Sequence, residues 1–438
     1  MSLLDRLRAR LERQPPTRHW RVGFSGGLDS TVLLYLFARL REHGLPGDLQ
    51  AVHVHHGLQA AADAWVEHCA QVCQKLAVPL DTLHVHADGA ASLERAAREA
   101  RYAAFAQVLP QDGCLVLGQH RDDQLETLLQ RLVRGAGVKG LAGMPETRSL
   151  AAGRLWRPLL DEPRSALLAY AEAEGLDWIE DPSNADTRLD RNYLRHEVLP
   201  RLRDRWPGVD QVMARGARHL AEADELLGEL ADLDLQRARC VDHGFAWIPL
   251  PNLALAPLQA LSEARQRNAL RTWLDPLTRQ PDSAHWAGWQ AVCEAGAASD
   301  PLWRLEGGQV RRGAGRIWWV PDAWQVAPQS LAITGQETSL KLAGNGRLNF
   351  LEQAAESGWR IGYRQGGERL VVPDRGSREL KRLFNEQGVP PFLRGRLPLL
   401  WRGDELLAVA NLPGLDGLPG GGRLEWQPAD GMGGFELG

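Results

Sequence analysis

The sequence predicts an α/β fold: a doubly wound parallel sheet, followed by a mainly helical middle domain and a small α+β C-terminal domain. Three observations carry this. A short apolar strand around Val22 runs through a glycine-rich turn straight into a helix. Strand and helix patterns then alternate as far as residue 133, the rhythm of parallel β-α-β units. Beyond residue 316 the pattern changes to short strands separated by Gly and Pro turns. The length of 438 residues, at about 150 per domain, suits two or three domains. The pattern divides them at 1–215, 216–325 and 350–438.

In chain order, residues 1–11 form an amphipathic helix that lacks the apolar block of a signal peptide. The loop Ser25-Gly26-Gly27-Leu28-Asp29-Ser30 follows the first strand, and a helix is predicted over 31–40. A second strand, 49–55, precedes a helix over 60–76. A third strand, 79–86, precedes a helix capped by Ser92 and running to 108. A fourth strand over 114–118 leads into a helix over 122–133, and a glycine-rich loop spans 134–144. A further helix starts near Ser165, the polar loop 180–184 follows, and a basic helix begins at Arg191 and ends near Trp206-Pro207-Gly208. Residues 216–271 read as helical, and 328–346 separate off a last module.

Composition narrows the class. Hydrophobic content of 44% and charged content of 24% are ordinary for a globular chain. No apolar run approaches the roughly 20 residues needed to span a bilayer, so no membrane partner is expected. The five cysteines are odd in number and scattered, which predicts a reducing, cytoplasmic setting. Cys69 and Cys73 are spaced i, i+4 on a helix, the spacing of core packing rather than of a Cys-x-x-Cys motif. The net charge of −4 excludes a globally basic nucleic-acid binder. Residues 359–402 differ: nine Arg and one Lys stand against four acids, the excess expected of a phosphate-contacting surface.

The loop 25–30 carries the strongest chemistry. A glycine-rich turn between strand and helix aims backbone N–H groups and the positive helix end at one point, which suits an anion. No Gly-Lys-Ser/Thr follows, so amides, the Ser25 and Ser30 hydroxyls and a metal ion at Asp29 must replace the usual lysine. At the end of the fourth strand, His120-Arg121-Asp122-Asp123-Gln124-Leu125-Glu126 opens a helix, with Asp123 and Glu126 on one face. Those carboxylates suit either Mg²⁺ or a cationic substrate. His53, His55 and His56 close the second strand without a cysteine partner, which favours structural or nucleotide-adjacent roles over zinc. Arg98 and Arg101 form either a solvated face or a polyanion track.

Taken together, 25–30, 53–58, 94–102, 120–127, 134–144, 157–160, 181–184 and 191–195 resemble, in order, the tRNA(Ile)-lysidine synthase family. That family belongs to the N-type ATP pyrophosphatases (the PP-loop group), whose sheet is Rossmann-like. The segments 364–369, 381–384, 390–396 and 406–412 resemble its terminal domain. The resemblance implies a ligase that uses ATP and Mg²⁺ to join free L-lysine to the wobble cytidine of tRNA(Ile) with a CAU anticodon, and it implies a homodimer. It implies ATP binding by Ser25, Gly26, Gly27, Leu28, Asp29 and Ser30, with Asp29 on the metal. Lysine would be held by Asp123 and Glu126, with His120 also catalytic. It implies tRNA or adenylate contacts at Arg98, Arg101, Arg191 and Arg195. The C-terminal tRNA contacts would be Arg364, Arg369, Lys381, Arg382 and Arg394. A tRNA thiolase of the same group would call for paired Cys-x-x-Cys motifs, and this chain has none.

Overall fold

The computed structural model describes residues 1–55, 62–85, 93–240, 244–282, 284–296 and 299–429, with backbone alone for 62, 63 and 93–95. His56 and Ser92 lie outside them. The chain forms two compact units, Met1–Glu225 and Leu226–Gly438. Among the described residues no helix is long and apolar enough to cross a membrane.

The first unit holds α1 (Leu3–Leu11), β1 (His19–Gly23), α2 (Leu28–Glu42), β2 (Asp48–His55), α3 (Ala62–Lys75), β3 (Leu80–His84), α4 (Leu93–Val108), β4 (Cys114–Val116) and α5 (Arg121–Val133). Then come the short α6 (Val138–Leu141), the hairpin β5 (Thr147–Leu150) and β6 (Gly153–Trp156), and α7 (Arg164–Ala173). A basic segment follows: α8 (Asp190–Tyr193), a π turn (Leu194–Val198) and α9 (Leu199–Arg205). The long α10 (Val209–Arg239) runs out of this unit into the next.

The sheet order is β3-β2-β1-β4-β6-β5, all parallel except the edge strand β5. Successive residues of a strand feed opposite cores, as a sheet covered on both faces requires. Ala51, Cys114 and Val116 pack with Trp20, Leu33 and Phe37 on one face. Val52, Leu115 and Leu117 pack with Phe105 and Leu155 on the other. Strand order reverses between β1 and β4, and the crevice beyond the carboxyl ends at such a switch point is where open α/β sheets bind ligands. Sequence reasoning missed the β5–β6 hairpin, whose turn at Ala151 takes φ +48°.

The second unit begins with β7 (Asn252–Ala254), α11 (Leu255–Gln259), α12 (Glu263–Leu274), α13 (Trp286–Glu294), β8 (Leu302–Leu305), β9 (Gly308–Gly313) and β10 (Arg316–Pro321). These strands form an antiparallel sheet, β7-β10-β9-β8, so strand structure starts well before the residue 316 expected from the pattern. Its core is a tryptophan cluster, Trp273, Trp286, Trp289, Trp303 and Trp319, under the helices.

The remainder comprises β11 (Leu331–Ala332), β12 (Ser339–Leu342), β13 (Gly346–Leu351), β14 (Trp359–Gly362), β15 (Arg369–Val372), β16 (Gly376–Glu379), α14 (Leu380–Glu386), β17 (Leu399–Arg402), β18 (Glu405–Val409) and β19 (Arg423–Gln427). A six-stranded sheet, β11-β14-β17-β18-β15-β16, accompanies a three-stranded one, β12-β13-β19. The expected separator 328–346 is therefore itself structured, because β12 and β13 pair on to β19.

Candidate active site

The turn between β1 and α2 is built by its own side chains. Ser30 Oγ accepts from the Ser25 amide at 3.2 Å, lies 3.1 Å from Ser25 Oγ and donates to the Gly27 carbonyl at 3.0 Å. Gly26 takes φ +84°, and a Cβ there would meet Cys69 Sγ at 3.1 Å and Ile179 Cδ1 at 3.2 Å. Helix α2 begins at Leu28, three residues earlier than the pattern predicted, so Asp29 and Ser30 lie in its first turn. Gly27 is the N-cap and supplies no side chain, which leaves the first amides of α2 without an intrahelical partner. The combination of free amides, helix dipole and two hydroxyls is an anion cradle.

The loop after β4 closes on this cradle. A Cβ at Gly118 would meet the Asp29 carbonyl oxygen at 2.9 Å, so close approach of the two loops requires glycine there. His120 follows, completely buried, with three carboxylates around its ring. Nε2 lies 3.4 Å from Asp29 Oδ2 and 3.5 Å from Asp123 Oδ2, and Nδ1 lies 3.7 Å from Asp122 Oδ2. Burial opposes protonation, but Asp123, Asp29 and Asp122 outweigh it and hold the imidazole above its usual range. The other oxygen of Asp29, Oδ1, is buried without a hydrogen-bond partner.

Asp123 and Glu126 do share one face of α5, and both are buried. Asp123 Oδ2 accepts from the His120 amide at 3.0 Å, fixing the helix start. Sequence reasoning did not foresee what faces these acids. Arg191 Nε donates to Glu126 Oε2 at 2.6 Å and its Nη2 to Asp123 Oδ1 at 2.5 Å. Arg195 Nε donates to Glu126 Oε1 at 2.6 Å, and its Nη2 reaches Glu126 Oε2 at 3.2 Å and Asp123 Oδ1 at 3.4 Å. The result is a partly buried cluster of two carboxylates and two guanidiniums. Burial works against the Arg191 charge, yet Asp123 and Glu126 raise its pKa further. Asp122 belongs to a separate arm, held by the Arg164 amide at 2.9 Å and by Arg203 Nη2 at 2.5 Å. Burial raises the Asp122 pKa, but those bonds and His120 pull it below the usual carboxylate value.

Other expected residues take clear places. His53 Nδ1 is 2.9 Å from the Phe24 carbonyl, so it donates there and anchors the residue leading into the cradle. Burial lowers its pKa, which suits that neutral role. Cys69 and Cys73 are free and buried, their thiols pushed by burial to about 12 and about 11, as core residues would be. Arg101 is partly buried and its pKa is lowered, first by burial, then by repulsion from Arg98 and Arg191. Arg98 lies over the Tyr102 ring, 5.3 Å from its centroid.

In the last module, Arg369 on β15 and Lys381 and Arg382 on α14 are exposed. Arg382 is shared with Glu386 at 3.1 Å, and Arg369 donates to Ser377 Oγ at 3.0 Å. Arg364, 3.9 Å from Glu368, neighbours Arg394, whose pKa burial lowers. Arg396, counted in the positive excess, is buried and serves the fold. It donates to the carbonyls of Trp324, Val326 and Gly344 at 3.0, 2.7 and 2.5 Å.

Three family models match the chain: a PP-loop domain over residues 3–202, a TilS substrate binding domain over 253–318 and a TilS substrate C-terminal domain over 359–426. A curated relative from Pseudomonas fluorescens (strain Pf0-1), tRNA(Ile)-lysidine synthase, is 54% identical over 435 residues and covers 98% of both chains. The protein of the same name from Pseudomonas aeruginosa (strain PAO1) is 56% identical over 413 residues, 93% of each chain. That of Escherichia coli O157:H7 is 40% identical over 402 residues, 89% of this chain and 91% of the relative.

Proposed function

The chain belongs to the tRNA(Ile)-lysidine synthase family, and on that premise we propose that it ligates L-lysine to C2 of the wobble cytidine of tRNA(Ile) with a CAU anticodon. The reaction has two displacements. The cytidine C2 oxygen attacks the α-phosphorus of ATP and pyrophosphate leaves. An amine of lysine then attacks C2, AMP leaves with the C2 oxygen, and the amine gives up a proton.

One observation carries the reading: His120 stands within 3.5 Å of both Asp29 at the cradle and Asp123 of the charge cluster. The anion site and the carboxylate site thus share one crevice, at the switch point of the sheet. The amides of 28–30 and the hydroxyls of Ser25 and Ser30 suit the pyrophosphate end of ATP, where negative charge grows as the α–β bond breaks. Asp29 fits Mg²⁺, because its buried Oδ1 is an unpartnered hard oxygen beside that phosphate site. The ion would neutralise charge on the leaving pyrophosphate. Asp123 and Glu126 suit the ammonium groups of lysine, which would share their oxygens with Arg191 and Arg195. Arg101, beside Arg191, suits the adenylate or the cytidine phosphate.

Incubation with ATP, labelled lysine and the tRNA tests the proposal. Label is expected in the RNA, with one pyrophosphate released per lysine attached. Neither product appearing would overturn it. Asp29→Ala is expected to abolish pyrophosphate release, and normal release would refute the role given to Asp29.

A further inference from the structure

A cavity of about 570 Å³ opens beside the catalytic crevice, walled by Arg98 and Tyr102 of α4, Arg131 of α5, Arg148 of β5, and Arg157. Its size lies in the usual range of ligand pockets, about 300–1,000 Å³. Its charge is one-sided. Four arginines and a single carboxylate, Glu99, line it.

The pocket is built rather than accidental. Arg157 is almost fully buried, donating to Gln119 Oε1 at 3.1 Å, the Pro145 carbonyl at 2.7 Å and Tyr102 Oη at 3.4 Å. Arg131 donates to the carbonyls of Gly140 and Gly143 at 2.7 and 2.8 Å, holding the glycine-rich loop against the pocket wall. Arg98 and Arg148 differ. Both are exposed, and their guanidiniums lie 5.3 and 4.9 Å from the Tyr102 centroid. The ring fixes both, Arg148 also reaches the Ser149 carbonyl at 3.5 Å, and their remaining donors stay available to a ligand. The pocket is also tied to the chemistry. Gln119 precedes His120 in the chain, and Gln124 follows Asp123 and bonds Met144 through both its amide atoms.

We propose that this pocket receives a nucleotide adjoining the reacting cytidine in the anticodon loop. Its phosphate lies on Arg98 and Arg148, and its base lies against Tyr102 and the Met144–Pro145 wall. Unpaired loop bases are recognised in this way, splayed out and packed on aromatic rings and guanidinium planes. A cytidine drawn to the switch point brings its neighbours within reach of a pocket linked to His120 by one hydrogen-bonded residue. The inference rests on the tRNA reading above.

The test is tRNA binding without ATP or lysine, measured by anisotropy with an unmodified transcript from about 50 to 200 mM salt. Arg98→Gln with Arg148→Gln, both at exposed positions, is expected to weaken binding about 10- to 100-fold and to reduce the salt slope by one to two. The Arg98→Lys, Arg148→Lys pair is expected to recover the slope but only part of the affinity, because an ammonium lacks the planar fork. Removing the base 3′ or 5′ to the cytidine should weaken the wild type and leave the Gln variant indifferent. Unchanged affinity and slope in the Gln variant would overturn the inference, as would a loss confined to ATP affinity. Failure of the wild type to bind this tRNA would instead overturn the functional reading, and the pocket assignment with it.

Discussion

Replacing Glu126 by Gln keeps shape and removes charge from the centre of the cluster. Glu126 is fully buried and receives three N–H bonds, two at 2.6 Å and one at 3.2 Å. Breaking a buried ion pair by removing one partner costs about 3–5 kcal/mol. Two features reduce that here. Asp123 continues to accept from Arg191 at 2.5 Å, and the Arg191 and Arg195 side chains keep 34% and 27% of their exposure. About 2 kcal/mol is the resulting expectation, with charges partly screened by solvent. At about 2–4 °C per kcal/mol for a unit of this size, the melting temperature of the first unit should fall by about 4–8 °C. Scanning calorimetry reads this directly. The double variant Glu126→Gln, Arg195→Gln should melt higher than the sum of the two single losses, since each removes a charge the other leaves unpaired. A melting point within about one degree of wild type, or strict additivity, would refute a cluster that counts towards the fold. In the reaction, Glu126→Gln should reduce lysine attachment more than pyrophosphate release, and equal loss of both would contradict a role selective for lysine.

The remaining predictions concern the cradle, the buried histidine and the last module. Gly26→Ala should cost about 1–3 kcal/mol because of its positive φ and the crowding by Cys69 and Ile179. Gly27→Ala, at φ −77° with its nearest neighbour at 3.7 Å, should melt close to wild type, and equal losses would refute the strain argument. The His120 pKa is raised in the folded state, so its charge contributes stability that is complete below the unfolded value of about 6.5 and fades as pH rises through the folded one. The melting difference between wild type and His120→Gln should therefore shrink from about pH 5.5 to pH 9, and a difference that grows with pH would reverse the assignment. Lys381→Ala with Arg382→Ala should weaken tRNA binding and flatten its salt dependence without changing the melting point. Arg396→Ala should instead destabilise the second unit by about 2–3 kcal/mol, since it removes a buried guanidinium that serves one buried and two part-buried carbonyls, and an unaltered melting point would show that it is not structural.

What could be read from the chain follows how local each feature is. Ser25–Ser30 was legible because strand, loop and helix are contiguous and the hydroxyl-to-amide bonds close over five residues. The α5 carboxylates were legible as a face, since i, i+3 spacing fixes it. The start of α2 was not, because glycine gives no capping signal and the helix begins on the residue after it. The β5–β6 hairpin hides in a segment carrying Arg148 and Arg154, without the alternation that marks a strand. Arg396 looked like its neighbours in a basic run; only the fold shows that its guanidinium is turned inward. Arg191 and Glu126 are 65 positions apart, and no spacing rule links them.

That last pairing alters the chemistry assigned to the carboxylates. Two acids facing open solvent would bind a lysine ammonium and hold it protonated, because opposite charges at short range favour the charged form. An ammonium cannot attack C2; the amine must first lose a proton. Two guanidiniums already neutralise Asp123 and Glu126, so a third cation enters a cluster with no net negative charge to spare. At the lysine site proposed here, Arg191 and Arg195 would weaken the hold on the ammonium and favour the neutral amine. Buried acids alone would make a better lysine trap. Acids paired with Arg191 and Arg195 make a better place for lysine to become a nucleophile.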